Sequence, residues 1–476
     1  MSRRPHYAQK RHRGWLLILI ILLIVGAWFY TRSVNIDKII DNSILKGRTF
    51  NAKVEEIIAP NSGIKAYFIH NNENPIISME FIFADSGSAY DADNKKGLAN
   101  LSAQMLTEGA GNLDDFHFKE ELEKYAIDIN YSVDKDDFSG RLLTIKDNLP
   151  RAIELLRQTL FEPRIEYNAL QRVQQQTLQK IARLRESPSG RLKEAVSGKI
   201  FKHHGYGTSV LGTIEGVKSI KAADISDFLS RNFTKDKLFI GIAGDISKTE
   251  AEQLIDKIFS ALPNERKSKD ISSPSVDFSF RIENIEDKAA PQILSTIIAP
   301  SVSRLDKDFY PLYIANYIFG GAGLNSRINQ SAREKEGLTY GAYTGLSLLQ
   351  KSPHLVGGFS TTPDNFARMQ EIFINEWNIM GQKGISNKEL KFAKNYLQSS
   401  YNLRFDDISS LASILANMQR QDLGADFLQK RNIYIEKVTL ERVNKVAKQY
   451  FSPEKLVIIN LGAKLNERNG NEQTDK

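Results

Sequence analysis

Residues 225–239 (ISDFLSRNFTKDKLF) and 443–457 (VNKVAKQYFSPEKLV) run through the same succession of helix, aromatic residue, short acidic-basic turn and strand. A repeat of roughly 215 residues is far too long for a solenoid, whose units run to a few tens of residues. It fits a duplicated domain, and a chain of 476 residues needs more than one core in any case. The repeated order extends upstream. Runs rich in β-branched and aromatic residues at 64–70 and 76–84 predict strands. Apolar residues spaced by three and four predict helices over 98–106, 116–125, 149–160, 165–185 and 223–232, and 238–243 closes the unit as a strand. In the second half, 292–298 echoes 76–84, 310–319 echoes 98–106, and 456–461 echoes 238–243. Polar, Pro-containing sequence at 262–274 reads as a linker. The expected fold class is α+β, with a first domain at 50–261, a linker at 262–275, a second domain at 276–465 and a polar tail at 466–476, each sheet flanked by helices on one face.

Composition removes several classes of chemistry. Cysteine is absent, which excludes a disulfide framework, a thiol nucleophile, Cys-ligated zinc and an iron-sulfur cluster. The net charge of +7 makes the chain basic as a whole. Arg3, Arg4, Lys10, Arg11 and Arg13 supply most of it before the first acidic residue, so the remainder is nearly neutral and lacks the basic stripe of a nucleic-acid-binding domain.

That basic head, residues 1–14, directly precedes 15–30 (WLLILIILLIVGAWFY), a run without a charged residue. As a helix it spans roughly 24 Å, short of a hydrocarbon core of about 30 Å, so Arg13 and Arg32 would snorkel. We read 15–31 as a single transmembrane anchor; the positive-inside rule keeps the head in the cytoplasm and places the bulk of the chain in the periplasm, outside a bacterial inner membrane. A cleaved signal ending at Val25-Gly26-Ala27 is the rival reading.

The sequence carries no motif of a self-contained active site. Gly320-Gly321-Ala322-Gly323 lacks the Lys-Ser/Thr of a phosphate loop and reads as a turn. His6, His12, His70, His117, His203, His204 and His354 include no pair at the helical spacing of a zinc site, and no Gly-x-Ser-x-Gly elbow marks a nucleophile.

The wording of the chain nevertheless resembles the pitrilysin, insulinase and mitochondrial-processing-peptidase family of inverzincin metallopeptidases over roughly residues 50–465. Gly87-Ser88-Ala89-Tyr90-Asp91 and Gly97-Leu98-Ala99-Asn100-Leu101-Ser102-Ala103-Gln104-Met105 are similar to the phrases around the family's zinc motif. His204-Gly205-Tyr206-Gly207, Gly212-Thr213, Ser326-Arg327 and the run from Arg333 through Glu336-Gly337-Leu338-Thr339 to Tyr340 resemble later ones. The resemblance implies two homologous peptidase-like domains with helices on mainly antiparallel sheets. It also implies a His-x-x-Glu-His zinc site, and there the chain departs. Asn100, Ala103 and Gln104 stand at the positions of the two His ligands and the general base, and Lys180, eight residues before Pro188, stands where the acidic third ligand is expected. Amide carbonyls are poor zinc ligands, a methyl group accepts no proton, and an ammonium repels a dication. No metal is expected on this chain.

Arg333 and Tyr340 are retained. The resemblance implies that such a pair orients the substrate carbonyl and stabilises oxyanion charge across from a zinc half, work that suits a permanent cation and a phenol. A helix ending at Gly337 and a strand resuming over 338–346 would let both face one cleft. Three functional readings follow. The leading one is a non-catalytic, Arg/Tyr-bearing subunit that completes, in trans, the site of a zinc-bearing relative with an intact His-x-x-Glu-His motif, in a membrane-anchored peptidase for unfolded peptides that bind by strand addition. The alternatives are a non-enzymatic peptide-binding or assembly module and an independently active zinc peptidase.

Overall fold

The computed structural model describes residues 53–401, 405 and 407–463. The basic head, the apolar run and the polar tail lie outside the described residues, among whose helices none is long and apolar enough to cross a membrane.

The duplication is plainest in the order of the strands. The first sheet is built from β1 (Glu55–Ile58), β2 (Lys65–His70), β3 (Ile76–Phe83), β4 (Asp128–Val133), β5 (Phe138–Ile145) and β6 (Leu238–Gly244), in the order β1-β2-β6-β3-β5-β4. The second comprises β7 (Arg281–Glu286), β8 (Ile293–Pro300), β9 (Ala342–Ser347), β10 (His354–Thr361) and β11 (Val457–Gly462), in the order β7-β11-β8-β10-β9. Apart from the extra edge strand β1, the two orders are the same. In each, one parallel pair (β2 with β6, β7 with β11) is followed by antiparallel pairs. The predicted strands and helices of the first half fall where the periodicity placed them, with ends moved by one or two residues. No helix or strand occupies residues 260–280.

Helices cover both faces of the sheets, not one as expected from the sequence. The reason is visible in β6 and β11. β6 (LFIGIAG) is buried at six of its seven positions and β11 (VIINLG) at all six, so each needs an apolar cover on both sides. The near face of each sheet carries helices from its own half. The far face is covered by a helix from the other half. Pro188–Ile200 of the first half lies on β8 and β11, where Leu192, Val196 and Ile200 pack on Ile298, Val457 and Ile459. Ile408–Arg420 of the second half lies on β2, β3 and β6, where Leu411, Ala412 and Leu415 pack on Tyr67, Ile69 and Ala243. The exchange is reciprocal, so neither half can complete its own core alone.

Close approach sets local rules under the exchanged helix. A Cβ on Gly241 would come within 2.1 Å of the Ala412 carbonyl oxygen, so only glycine lets the helix seat. Glu80 lies opposite Gly241 on the same covered face. Burial pushes its carboxyl up to about 7, and the nearby Arg141 charge opposes this only in part. A carboxyl whose pKa is raised on folding holds its proton more tightly in the folded chain; its contribution is therefore most favourable below the ordinary value of 4.5 and is lost as pH rises towards about 7. Glu80→Gln should match the native chain in urea unfolding at pH 4 and exceed it by about 2–3 kcal/mol at pH 8. An equal difference at both pH values would contradict this assignment.

The two sheet edges differ. At β9 the side chain of Asn329 mimics a neighbouring strand: its Oδ1 accepts from Ala342 N at 2.8 Å and its Nδ2 donates to Ala342 O at 2.7 Å. Asn316 Nδ2 donates to Thr344 O at 3.3 Å. The equivalent edge of the first sheet, β4, has no such plug among the described residues and lies against the helix Leu98–Met105.

Candidate functional site

The helix Leu98–Met105 (LANLSAQM) is fixed at its start by Asp91, whose carboxylate accepts from Gly97 N at 2.9 Å and Ala99 N at 3.0 Å. Asp91 is buried, and burial pushes its carboxyl up to about 7 despite those bonds and nearby Lys96. Gly97 (φ +107°) and Gly212 (φ +85°) come so close that a Cβ on Gly212 would lie 2.5 Å from Gly97 Cα. Two of the phrases that carry the family resemblance therefore exist to pack this turn. A third holds the halves together: Tyr206 is buried, its hydroxyl donates to Asp136 and accepts from Lys351 N at 3.1 Å, and Asp136 also accepts from Gln350 N at 3.0 Å.

One face of Leu98–Met105 (Ala99, Leu101, Ser102, Ala103, Met105) is buried. Asn100 and Gln104, one turn apart, are half-buried. Gln104 reaches the helix Tyr167–Glu186: its Nε2 is 3.3 Å from Thr177 Oγ1, and its Oε1 accepts from Lys180 Nζ at 3.4 Å. Asn100, Ala103, Gln104 and Lys180, the four positions singled out in the sequence, thus lie on two adjacent helices joined by the Gln104–Lys180 contact. The Asn100 amide nitrogen is buried without a hydrogen-bond partner.

Zinc does not fit this set. An ion placed here would meet two amides, a methyl group and an ammonium, with no carboxylate, imidazole or thiolate to bind it or offset its charge. Among the described residues no cluster of three or more His, Asp or Glu side chains stands ready to hold a metal ion. Residues 53–463, purified alone without a polyhistidine tag, should carry well under one zinc per chain by metal analysis and cleave no unfolded peptide. Stoichiometric zinc that survives dialysis, together with chelator-sensitive hydrolysis, would refute this.

Arg333 lies in a short helical turn, Gln330–Glu334, closed by Gly337 (φ +64°), where Gly337 N bonds Arg333 O at 3.0 Å and Leu338 N bonds Ala332 O at 2.9 Å. Its side chain is exposed and makes no hydrogen bond or ion pair among the described residues. Tyr340 is 82% exposed. The strand resumes at Ala342, not at 338 as expected, because the Thr339 hydroxyl donates to Ser360 O at 2.7 Å and accepts from Gly341 N at 3.0 Å, holding 339–341 in a tight turn. Tyr340 is therefore presented outward from a tethered turn. Gly341 and Tyr343 line a cavity of about 720 Å³ between the halves; Arg333 and Tyr340 do not. Arg327 of the same phrase is structural, paired to Glu389 at 2.6 Å and 2.8 Å.

Sequence reasoning missed the cavity and its two lysines, Lys135 and Lys193. Lys135 sits in an acidic turn that reads as solvated surface, and only the packing of one half on the other gives it a role.

The chain matches two family descriptions: insulinase (peptidase family M16) over residues 68–214, and peptidase M16 inactive domain over residues 219–397. It is 28% identical over 388 residues to a protein of Helicobacter pylori named non-peptidase homolog YmxG, covering 79% of this chain and 88% of that protein. It is 20% identical to the mitochondrial-processing peptidase subunit beta of Saccharomyces cerevisiae, covering 77% of this chain and 80% of that one. Its fold is similar to the crystal structure of a peptidase M16 inactive domain from Pseudomonas fluorescens (TM-score 0.80, 22% identity, 87% of this chain and 98% of that one). With its duplicated fold, its matched phrases and amide, methyl and ammonium groups where zinc ligands and base are expected, the chain belongs to the M16 peptidase family as a catalytically inactive member.

Proposed function

We propose that this chain is the non-catalytic, Arg/Tyr-bearing subunit of a membrane-anchored heteromeric zinc peptidase acting on peptides outside the cytoplasm. One observation carries the proposal. Arg333 and Tyr340 stand exposed, with no partner among the described residues, on a segment tied down by Gly337 and Thr339, a state that costs freedom and contributes nothing visible to this chain's own stability. A guanidinium and a phenol held ready in this way suit the stabilisation of charge on a substrate carbonyl whose zinc lies in another subunit. Two relatives support the reading: one is named a non-peptidase homolog, another a subunit of a processing peptidase. The unplugged edge of β4 beside Leu98–Met105 suits an extended peptide added as a further strand. Anchoring rests on residues 15–31 and their basic flank, and with them the periplasmic location.

The test is co-purification. The tagged chain, solubilised from its native membrane, should retain a zinc-bearing M16 relative with an intact His-x-x-Glu-His motif in a stable ratio through gel filtration. Recovery of the chain without any such relative would remove the main support for a split enzyme and favour an assembly or binding module.

A further inference from the structure

The cavity between the halves lies where the exchanged helix Pro188–Ile200 stops short of covering the second sheet. That helix reaches β8 and β11, leaving the far side of β9 and β10 open. Its walls are largely apolar, from Leu192, Val196 and Phe201 on one side and Leu294, Ile298 and Val356 on the other. About 720 Å³ is within the usual range for a small-ligand site. A second cavity of about 350 Å³ adjoins it, and Lys135, Lys193, Ser197 and Val210 belong to the lining of both.

Cations outnumber anions in the lining of the larger cavity, Lys135 and Lys193 against Asp134. Lys193 makes no hydrogen bond or ion pair among the described residues, and Lys135 donates only to the Thr208 carbonyl. Burial and the charges of Lys193 and Lys96 push the Lys135 ammonium down to about 8, with Asp136 and Asp134 opposing. The carboxylate of Asp134 that lines the cavity is already committed to its own turn, accepting from Asp136 N at 2.8 Å and Asp137 N at 2.7 Å. Asp136 is taken up by Tyr206 and Gln350, Arg185 and Glu194 pair with each other at 3.1 Å, and His354 is held towards its neutral form by burial. Two ammonium groups thus stand against the single carboxylate of Asp134 in the lining of this chamber, an excess of one positive charge.

We infer that this chamber binds the carboxy-terminal residues of a peptide, with apolar side chains against Leu192, Val196, Leu294 and Val356 and the terminal carboxylate between Lys135 and Lys193. The choice of a peptide rests on the proposed function; the apolar walls and the excess of cations stand without it. Bound there, a chain end would be held by the subunit that lacks zinc while the rest of the peptide remained free for a partner's site.

The full chain, alone and in detergent, is titrated by fluorescence polarisation with an amino-terminally labelled pentapeptide ending in Val-Leu with a free carboxylate. Two controls are its carboxy-terminal amide and an amide with an internal glutamate. The free acid should bind, and both amides should bind at least roughly tenfold more weakly, the scale of one charged hydrogen bond. Lys193→Gln, at an exposed helix position, should cost a similar factor, and Val356→Trp, which fills the chamber, should abolish binding while circular dichroism stays unchanged. Equal binding of acid and amide, an unchanged affinity in Lys193→Gln, or no binding at millimolar peptide overturns the inference. Because no zinc partner is present, failure of the split-enzyme reading would leave this result intact, and the reverse also holds.

Discussion

In a complex assembled with the zinc-bearing partner, replacing Arg333 by alanine or Tyr340 by phenylalanine lowers turnover by roughly 10²- to 10³-fold, the cost of about 2.7–4 kcal/mol for losing one oxyanion-type donor. The expectation is sharp because neither side chain serves the fold. Arg333 has no partner among the described residues and Tyr340 is 82% exposed, so unfolding in urea should shift by no more than about 0.5 kcal/mol. Turnover is measured on an unfolded peptide, and gel filtration of the same samples shows that the complex persists. If both variants cleave as fast as the unmodified complex, the pair is ordinary surface and the binding-module reading takes over.

Arg420→Met should have the largest effect on stability. Arg420 ends the helix exchanged from the second half, and its guanidinium holds both Asp137 (2.9–3.1 Å) and Asp85 (3.1 Å) of the first half. All three side chains are mostly buried, at 12%, 13% and 17% exposure. Removing the cation leaves two carboxylates facing each other, with Lys237 (2.7 Å) and the Tyr90 hydroxyl (3.3 Å) still on Asp85 but only the Asp85 amide (3.0 Å) on Asp137 among the described residues, and a broken buried pair typically costs about 3–5 kcal/mol. Urea unfolding should then split into two steps as the exchanged helix releases first. The double variant Arg420→Met, Asp137→Asn should recover part of the loss, since one unpaired charge goes with it. A single transition at the native midpoint would show that apolar packing of Leu411, Ala412 and Leu415 suffices to join the halves.

Much of each half was legible because periodicity is local. The strands at 76–84 and 238–243 and the helix at 98–106 are written in consecutive residues, and the second copy repeats their order. The exchange of helices was not legible, since nothing in Pro188–Ile200 or Ile408–Arg420 says which sheet it covers; the only hint is that β6 and β11 are apolar on both faces. The late start of β9 escaped for a different reason. Residues 338–341 have strand-like composition, and the single hydroxyl of Thr339 diverts them. At the site, Asn100, Ala103, Gln104 and Lys180 were found by wording and counting along the chain, and the structure adds the Gln104–Lys180 contact that no spacing contains. Lys135 and Lys193 gave no signal at all, because their meaning depends on a chamber that two distant segments close.

The most direct test of the central claim, that this chain has given up zinc yet completes another subunit's active site, is an equimolar mixing experiment with metal analysis. The chain and its zinc-bearing relative are purified separately, then assayed alone and together on an unfolded peptide, and zinc is counted in each sample. The account predicts activity in the mixture that neither protein shows alone, with about one zinc per heterodimer, contributed by the partner. Hydrolysis by this chain alone with its own bound zinc, or a partner fully active without it, would contradict the account.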